Sequence, residues 1–462
     1  MFCMRSLLFL PFAALAAIAY GLWSWHLATK PVSDWRQGGL VVILPPAGSL
    51  DLAFDRTLAE LFAQQLNVQL KPLHLPPYRV TTKLDARQAH FSAIGMRSNE
   101  AAPPLIFGEP YQTLREKIVC NGHPPKRLEE LLARKLVVTA GSEQDAALRA
   151  AQRDLPALHW QTRKLEMPNT LLDQVGEGKL DCTVGNEEQV ATMRNFHPDM
   201  VAGFDIASPS RLAWVFPHDA DPVLLDRMRQ FFDGIRHDGT LHRLLERFYG
   251  HNDRLGPIDA AAFLNQEQTL LPRYRPLFEE ASRLTGIKWQ LLAAMAYRES
   301  HWNPLATSPT GVRGIMMLTE DTADRMGVDN RLDPRASIIA GARYLRQLKD
   351  RLPLHIPEPD RTWFALAAYN QGMGHLEDAR VLTQRSGLNP DAWVDVKRIM
   401  PRIGSRKLAE WLKHGTGRGG EAVIYVETVR LYYEMLERLT RKTQPQKPPP
   451  SPFSLALLRQ GK

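Results

Sequence analysis

The spacing of apolar residues divides the chain into a front part with short apolar runs between helical patterns and a rear part that is helical almost throughout. In the front part, the continuous apolar run from Leu40 to Leu44 predicts a buried strand, and the spacing over residues 55–66 predicts a helix. Such alternation predicts an α/β domain with largely parallel sheets. The same patterns predict strands at 91–96, 117–120, 136–139 and 180–184, and helices at 128–133, 143–153, 169–175 and 222–249.

The rear part begins after a linker, which the glycine, proline and polar residues of segment 250–265 predict. Asp333 and Asn389 each precede a proline, so each is predicted to cap a helix that the proline begins. The proline-rich tail, residues 443–462, cannot pack as a domain. Helices are predicted at 272–285, 287–300, 319–326, 334–352, 361–370, 374–386, 390–400 and 420–440.

The N-terminal segment, residues 1–27, carries Arg5 and then an apolar run from Leu7 to Leu22. This pattern is typical of an export signal, with Ala17-Ile18-Ala19 as a candidate cleavage site. An uncleaved N-terminal anchor is the alternative, because the run lies near the lower limit of roughly 17–25 residues for a membrane-spanning helix. The remainder of the chain is therefore expected to be exported.

Length, cysteines and charge narrow the classes of protein further. A chain of 462 residues is too long to fold around a single hydrophobic core, so two or three domains are expected. Three cysteines without a C-x-x-C motif predict neither a metal nor a cofactor, and Cys120 and Cys182 either pair or remain two buried thiols. The net charge of +8 is spread without a basic module. It therefore argues against nucleic acid and suits an anionic polymer or lipid surface.

Glu299 is the residue with the strongest indication of chemistry. It shares one face of a predicted helix with three apolar residues at helical spacing, Leu292, Met295 and Ala296, and Pro304 is expected to end that helix. Burial on such a face raises the pKa of a carboxyl group. A carboxyl group that stays protonated near neutral pH is what a general acid for glycosidic cleavage requires. From this segment alone, a glutamate that simply reaches water is the alternative.

Three further stretches follow Glu299-Ser300 in the chain. They are a glycine turn from Gly311 to Leu318, an apolar helix that ends in Ala368-Tyr369-Asn370, and Tyr425 in the last helix. Taken singly, they are a glycine loop, a capped core helix and a core tyrosine. In this order and spacing they resemble the soluble lytic transglycosylase family, which has a lysozyme-like helical fold. Where most relatives read Gly-Leu-Met-Gln, this chain has Gly314 followed by Ile315-Met316-Met317, so the glutamine is absent.

The resemblance implies that residues 257–442 form an all-α lytic transglycosylase domain that acts on peptidoglycan. It implies that Glu299 is the sole catalytic acid and base, and that the product carries a 1,6-anhydro ring. The alternatives are a lysozyme-like hydrolase on the same fold and an inactive binding or sensing protein. The residues that it implies for substrate binding are Ser300, Gly314, Met316, Met317, Tyr369, Asn370 and Tyr425.

Residues 28–256 resemble the extracellular solute-binding proteins of the amino-acid-binding type, through segment 51–66 and Gly178-Lys179-Leu180-Asp181. The resemblance implies a non-catalytic α/β domain of two lobes, the second at about 116–208, with a ligand cleft between them. Ala101 stands where the family has an arginine for the ligand carboxylate, and Asn186 where an acidic group would meet the amine. We therefore expect a different small molecule, a muropeptide, or no ligand. The two resemblances together imply a periplasmic protein attached peripherally to the outer membrane.

Overall fold

The computed structural model describes residues 31–97, 105–250 and 255–443. The chain forms two compact units, and the division between them falls after Gly250 in the sequence. The export-signal segment 1–27, Ala101 and residues 444–462 of the tail lie outside the described residues. Within the described part of the chain, every helix is too short or too polar to cross a membrane.

The front unit alternates strands and helices, as predicted. In chain order its elements are α1 (Trp35–Gly38), β1 (Leu40–Leu44), α2 (Leu52–Gln65), β2 (Leu70–His74), α3 (Val80–Asp85), β3 (Phe91–Arg97), β4 (Leu105–Phe107), β5 (Gln112–Leu114), β6 (Glu116–Cys120), β7 (Val137–Thr139), α4 (Glu143–Gln152), β8 (Gln161–Arg163), α5 (Pro168–Gly176), β9 (Cys182–Asn186), α6 (Glu187–Arg194), β10 (Ala202–Asp205), β11 (Ser210–Pro217), α7 (Pro222–His237) and α8 (Thr240–Phe248).

The first lobe is built on a mixed sheet with strand order β2-β1-β3-β11-β4, in which β5 also pairs with β11. Strand β1 is parallel to β2 and β3, whereas β11 is antiparallel to β3, β4 and β5. The prediction of largely parallel sheets is therefore wrong, because half of this sheet pairs antiparallel and the sheet formed by β10, β6 and β9 is antiparallel throughout. Strand β11 returns from the second lobe without the crossover helix that parallel pairing requires. Its alternate residues Trp214 and Phe216 are fully buried against the helices.

The second lobe lies between two crossings of the chain, β5 to β6 and β10 to β11. Its antiparallel sheet has the order β10-β6-β9, beside the parallel pair β7-β8. Strands β6 and β9 place Cys120 opposite Cys182, and the two form a disulfide. The helix predicted at 128–133 is a 3-10 helix. The helix predicted at 222–249 is interrupted, because Gly239 adopts a φ of 75° between α7 and α8.

The rear unit is helical, as predicted, and most helix boundaries fall within a few residues of the prediction. In chain order its helices are α9 (Pro257–Thr269), α10 (Leu271–Thr285), α11 (Trp289–Ser300), α12 (Glu320–Met326), α13 (Pro334–Arg351), α14 (Asp360–Gln371), α15 (Met373–Arg385), α16 (Trp393–Ile399) and α17 (Gly419–Thr443).

Residues 257–265 and Asn389 differ from the prediction for the rear unit, whereas Asp333 agrees with it. Residues 257–265 are not linker but the start of α9, which Pro257 opens and which buries Phe263 completely. Asp333 caps α13 by accepting from the N–H of Ala336 at 2.6 Å, as predicted. Asn389 does not cap a helix, because its side-chain oxygen accepts from the N–H of Asp391 in a turn, and α16 begins only at Trp393.

Candidate active site

Glu299 lies in the last turn of α11, on the apolar face that the sequence predicts. Leu292, Met295 and Ala296 of this face are fully buried. The helix ends at Ser300, before Pro304, because His301 and Trp302 adopt left-handed backbone with φ of 51° and 58°. The buried indole of Trp302 holds this unfavourable conformation by donating from Nε1 to the carbonyl oxygen of Ala293 at 2.8 Å. The helix therefore ends at the predicted residue, Ser300, but the left-handed residues His301 and Trp302 end it and not Pro304.

The carboxyl group of Glu299 is enclosed by protein atoms, although part of the residue remains exposed. Burial raises its pKa from the ordinary value of 4.5 to about 7. Two groups act in the opposite direction: the hydroxyl of Tyr425, which donates to Oε1 at 2.7 Å, and the guanidinium of Arg298. Burial also raises the pKa of Tyr425 far above its usual value, so this hydroxyl remains a donor. Near neutral pH, Glu299 can therefore both give and accept a proton.

The turn after α11 is held by two hydroxyl groups for which the family resemblance implies a role in substrate binding. The hydroxyl of Ser300 lies 2.8 Å from the carbonyl oxygen of Ile315, and Tyr369 donates to the carbonyl oxygen of Met316 at 3.0 Å. Gly314 has a φ of +85°, and a Cβ there would lie 1.9 Å from the carbonyl oxygen of Arg331. The missing side chain of Gly314 therefore makes room for the protein's own backbone at Arg331. These contacts fix the turn beside Glu299.

The remaining predicted residues differ in exposure. Met316 is fully buried, with its side chain packed against Gly341, so it supports the turn from inside and does not line an open subsite wall. Met317 is partly exposed and has a φ of 46°. Asn370 is exposed at the end of α14, where its Oδ1 accepts from Nε2 of Gln371 at 3.3 Å. Ser300 and Tyr369 are also partly exposed, but their hydroxyl groups are already bonded to the turn, so Met317 and Asn370 are the exposed members whose side chains do not hold it.

Two polar residues at this site are missing from the predicted set. Arg298 is next to Glu299 and lies about a quarter-turn away on the helix, yet its guanidinium is close enough to lower the pKa of Glu299. Gln371 follows the Tyr369-Asn370 pair directly, and its Oε1 accepts from the N–H of Arg418 at 3.0 Å. Direct adjacency to the motif residues is the signal by which both could have been found.

The site provides one carboxyl group. In the described part of the chain, the groups that shift the pKa of Glu299 are a tyrosine and an arginine, and none is a second acid. Glu320, Asp321 and Asp324 are exposed on α12. Glycosidases that use two carboxylates place them roughly 5–10 Å apart across the scissile bond. The arrangement therefore favours chemistry in which a single group carries out both proton transfers.

Replacing Tyr425 by phenylalanine is expected to move the pH profile. The hydroxyl stabilises the charged form of Glu299, so its loss raises the pKa of Glu299 above about 7. The alkaline limb of kcat/KM should shift to higher pH, and the maximal rate should fall by about tenfold, the value of one charge-assisted hydrogen bond. Rates of sugar-product formation across the neutral range measure both effects.

Tyr433→Phe is the matched control, because this tyrosine lies on the same helix and donates to Glu437 at 2.8 Å. Its profile should coincide with that of the wild type. An unchanged profile in Tyr425→Phe would contradict the coupling between Tyr425 and Glu299.

The helical domain that carries Glu299 belongs to the class of the lytic transglycosylases, as two comparisons show. The family model described as Transglycosylase SLT domain matches residues 276–390. Two proteins named membrane-bound lytic murein transglycosylase F are similar to most of the chain. The protein from Methylobacillus flagellatus is 45% identical over 427 residues, which cover 89% of this chain and 90% of the relative. The protein from Nitrosospira multiformis is 44% identical over 387 residues, covering 83% and 81%. The chain belongs to the membrane-bound lytic murein transglycosylase F family.

Solved solute-binding proteins are similar to a smaller part of the chain. A mutant of ArgBP from T. maritima is 19% identical, with a TM-score of 0.40, and covers 46% of this chain and 95% of its own. An ancestral arginine-binding protein bound to arginine is 17% identical, with a TM-score of 0.41, and covers 46% and 97%. The two-lobed α/β front unit and the helical rear unit confirm the predicted fold class.

Proposed function

We propose that Glu299 alone breaks the β-1,4 bond between N-acetylmuramic acid and N-acetylglucosamine, without water. Membership of the family makes the chain a peptidoglycan lytic transglycosylase. We propose which residues carry out this reaction and in which steps. The observation that carries it is a single carboxyl group with a pKa of about 7, bonded to Tyr425 at 2.7 Å. Residues 257–442 would form the catalytic domain, and residues 28–256 the non-catalytic one.

The reaction needs two proton transfers at one carboxyl group. Protonated Glu299 gives its proton to the glycosidic oxygen while the bond to C1 of the muramyl sugar breaks. The substrate's own N-acetyl group stabilises the positive charge at C1, and Tyr425 stabilises the carboxylate that remains. The carboxylate then takes the proton of the C6 hydroxyl, whose oxygen bonds to C1 and closes the 1,6-anhydro ring. This transfer restores protonated Glu299. The reaction therefore consumes no water and needs no second acid.

The other site residues divide into two roles. We assign Met317 and Asn370 to direct contact with the sugars, because both have exposed surface and neither side chain bonds to the carbonyl groups of the turn. Ser300 and Tyr369 hold the carbonyl groups of the turn, and Gly314 lets the turn pass over Arg331. Met316 supports the turn from the core. These residues position the wall against which the substrate lies.

Digestion of purified sacculi by the full chain tests this function. Mass spectrometry should find muropeptides that end in anhydro sugars, lighter by one water than the products of hydrolysis. Reducing ends would establish the lysozyme-like hydrolase instead. Intact sacculi would favour the inactive sensing protein.

We further propose that the cleft between the two lobes of the front unit binds a small molecule or muropeptide with a cationic group. The described residues that line the cleft include the three carboxylates Asp51, Asp55 and Glu143, and none of these described residues is basic. Burial raises the pKa of Asp51 and of Asp55, so an ammonium group there would stabilise their charged forms. Asn186, expected at the ligand amine, instead caps α6 by accepting from the N–H of Gln189 at 2.8 Å.

A muropeptide with a free side-chain amine should bind the full chain at least about tenfold more tightly than its N-acetylated form. Isothermal calorimetry measures the two affinities. Asp51 joins the lobes by accepting from Gln189 at 3.1 Å, so Asp51→Asn should reduce the difference. Equal affinities in the wild type would contradict the cationic ligand.

We propose that the protein is exported and attached peripherally to the inner face of the outer membrane. The signal pattern of residues 1–27, the words "membrane-bound" in the relatives' names and the Cys120–Cys182 disulfide support this location. Anchoring in the inner membrane by an uncleaved segment is the alternative. Fractionation of cell envelopes distinguishes the two membranes.

A further inference from the structure

Arg298 is a partly buried cation whose guanidinium forms neither a salt bridge nor a hydrogen bond with any residue that the structure describes. Its Cζ lies 6.0 Å from the ring centroid of Tyr425. Comparable arginines of the rear unit are fully engaged. Arg331 donates to the carbonyl oxygens of Gly311 and Leu318, and Arg380 pairs with Glu377 and Asp391. Arg298 therefore differs from Arg331 and Arg380, because the N–H donors of its guanidinium are available to a ligand.

The position of Arg298 is unfavourable for the acid in the free enzyme. A cation beside a carboxyl group stabilises the charged form, and Arg298 accordingly lowers the pKa of Glu299. A general acid must carry its proton at the working pH. A cation that stabilises the charged carboxylate reduces the fraction of the enzyme in which the acid is protonated. Tyr425 and Tyr369 are the other titratable groups whose charges interact with Glu299, and both stay neutral because burial raises their pKa. Arg298 is thus the single fixed charge acting on Glu299 from these surroundings.

A guanidinium with free donors is shaped for a carboxylate. Its planar fork matches the two oxygens and forms short, charge-assisted hydrogen bonds. Arg298 directly precedes Glu299 and lies over the ring of Tyr425, whose hydroxyl contacts the Glu299 carboxyl group. A carboxylate on Arg298 would therefore lie beside the bond that is cleaved.

We propose that Arg298 binds a carboxylate of the peptidoglycan substrate next to the scissile bond. This inference rests on the proposed function of Glu299. The carboxylate belongs either to the peptide stem or, where the peptide has been removed, to the lactyl group of the muramyl sugar. Its binding neutralises the guanidinium, so a larger fraction of Glu299 carries its proton near neutral pH when an anionic substrate is bound. Arg298 thereby selects peptidoglycan over neutral chitin-like glycans.

Three soluble, uncrosslinked glycan substrates test the proposal with the full chain. The first carries intact peptide stems, the second has the peptides removed so that lactyl carboxylates are free, and the third has all carboxylates converted to amides. Arg298→Gln should raise KM by about tenfold or more on the carboxylate substrate that the enzyme recognises, the value of one charge-assisted pair. On the amidated substrate, wild type and variant should have equal KM. The substrate that shows the effect identifies the source of the carboxylate.

Controls separate recognition from a general electrostatic or structural effect. Arg298→Gln also raises the pKa of Glu299, but that change moves the pH profile on all three substrates alike. Arg298→Lys should retain part of the effect, because it keeps the charge and loses the fork. Arg351→Gln removes one exposed charge from the same unit and should leave every KM unchanged. An equal rise of KM on all three substrates, or none, would overturn the proposal. A wild type that forms no anhydro product on any substrate would instead refute the proposed function.

Discussion

Replacing Glu299 by glutamine is expected to lower the rate of anhydro-sugar formation by at least about a thousandfold, since general acid–base catalysis alone contributes about 10²–10⁴-fold. Glutamine keeps the shape of the side chain but can neither give nor take a proton. The loss should exceed that of a residue acting in one step, because the same carboxyl group acts in both transfers. Mass spectrometry of digested sacculi, with kcat and KM from soluble glycan strands, measures it. The loss should appear in kcat.

The stability of the Glu299→Gln variant provides the control. The pKa of Glu299 is about 7 in the folded protein, above its ordinary value of 4.5. Such a group stabilises the fold fully below the ordinary pKa, and this contribution is lost as the pH rises through 4.5 to about 7. Above pH 7 the wild type carries a buried charge that glutamine avoids. The variant should therefore melt at the same or a higher temperature at pH 8. Substantial activity in this stable variant would exclude Glu299 as the sole acid.

Replacing Gly314 by alanine is expected to destabilise the rear unit by about 2–4 kcal/mol, through left-handed backbone strain and overpacking together. The new Cβ would lie 1.9 Å from the carbonyl oxygen of Arg331, and the backbone cannot yield as a flexible side chain would. Displacement of the turn also breaks the bonds that Ser300 and Tyr369 make to Ile315 and Met316. Activity should fall at least about a hundredfold, because a displacement of about 1 Å near a reacting centre has that effect. Thermal melting and product formation measure the two losses.

Gly311 offers a matched control in the same turn. It also has a positive φ, +82°, but open space surrounds the position of its Cβ. Gly311→Ala should therefore cost only the backbone strain, on the order of 1 kcal/mol, and keep most activity. If the two alanine variants were equally stable and equally active, the steric role of Gly314 would be contradicted.

Several parts of the fold follow from local sequence because their causes are local. The face of α11 that carries Glu299 follows from apolar residues at helical spacing, and the cap of α13 from Asp333 before proline. Other parts depend on distant partners. Strand β11 is antiparallel to β3 because of the path of the chain through the second lobe. The helix α11 stops at His301 because the Trp302 indole finds the carbonyl of Ala293. The spacing of apolar residues along the sequence gives no information about such distant contacts.

The candidate site shows the same division. Its members follow from motif order, as the resemblance implies, but their contacts do not. Tyr425 alone reads as a core residue, and only packing of α17 on α11 brings its hydroxyl to Glu299. Ser300 and Tyr369 are expected to face sugar, whereas their hydroxyl groups reach the carbonyls of the turn. The direction of a side chain depends on which neighbours complete its hydrogen bonds, and these are far away in sequence.

By itself, the sequence determined the order of two differently built parts, the helices of the rear unit and the helix face on which Glu299 lies, because hydrophobic spacing and capping are properties of neighbouring residues. Only the tertiary structure decided the near-neutral pKa of Glu299, the pairing of Cys120 with Cys182 and, among the described residues, the unpaired guanidinium of Arg298. Desolvation and charge pairing depend on which distant groups surround an atom, and folding alone sets those surroundings.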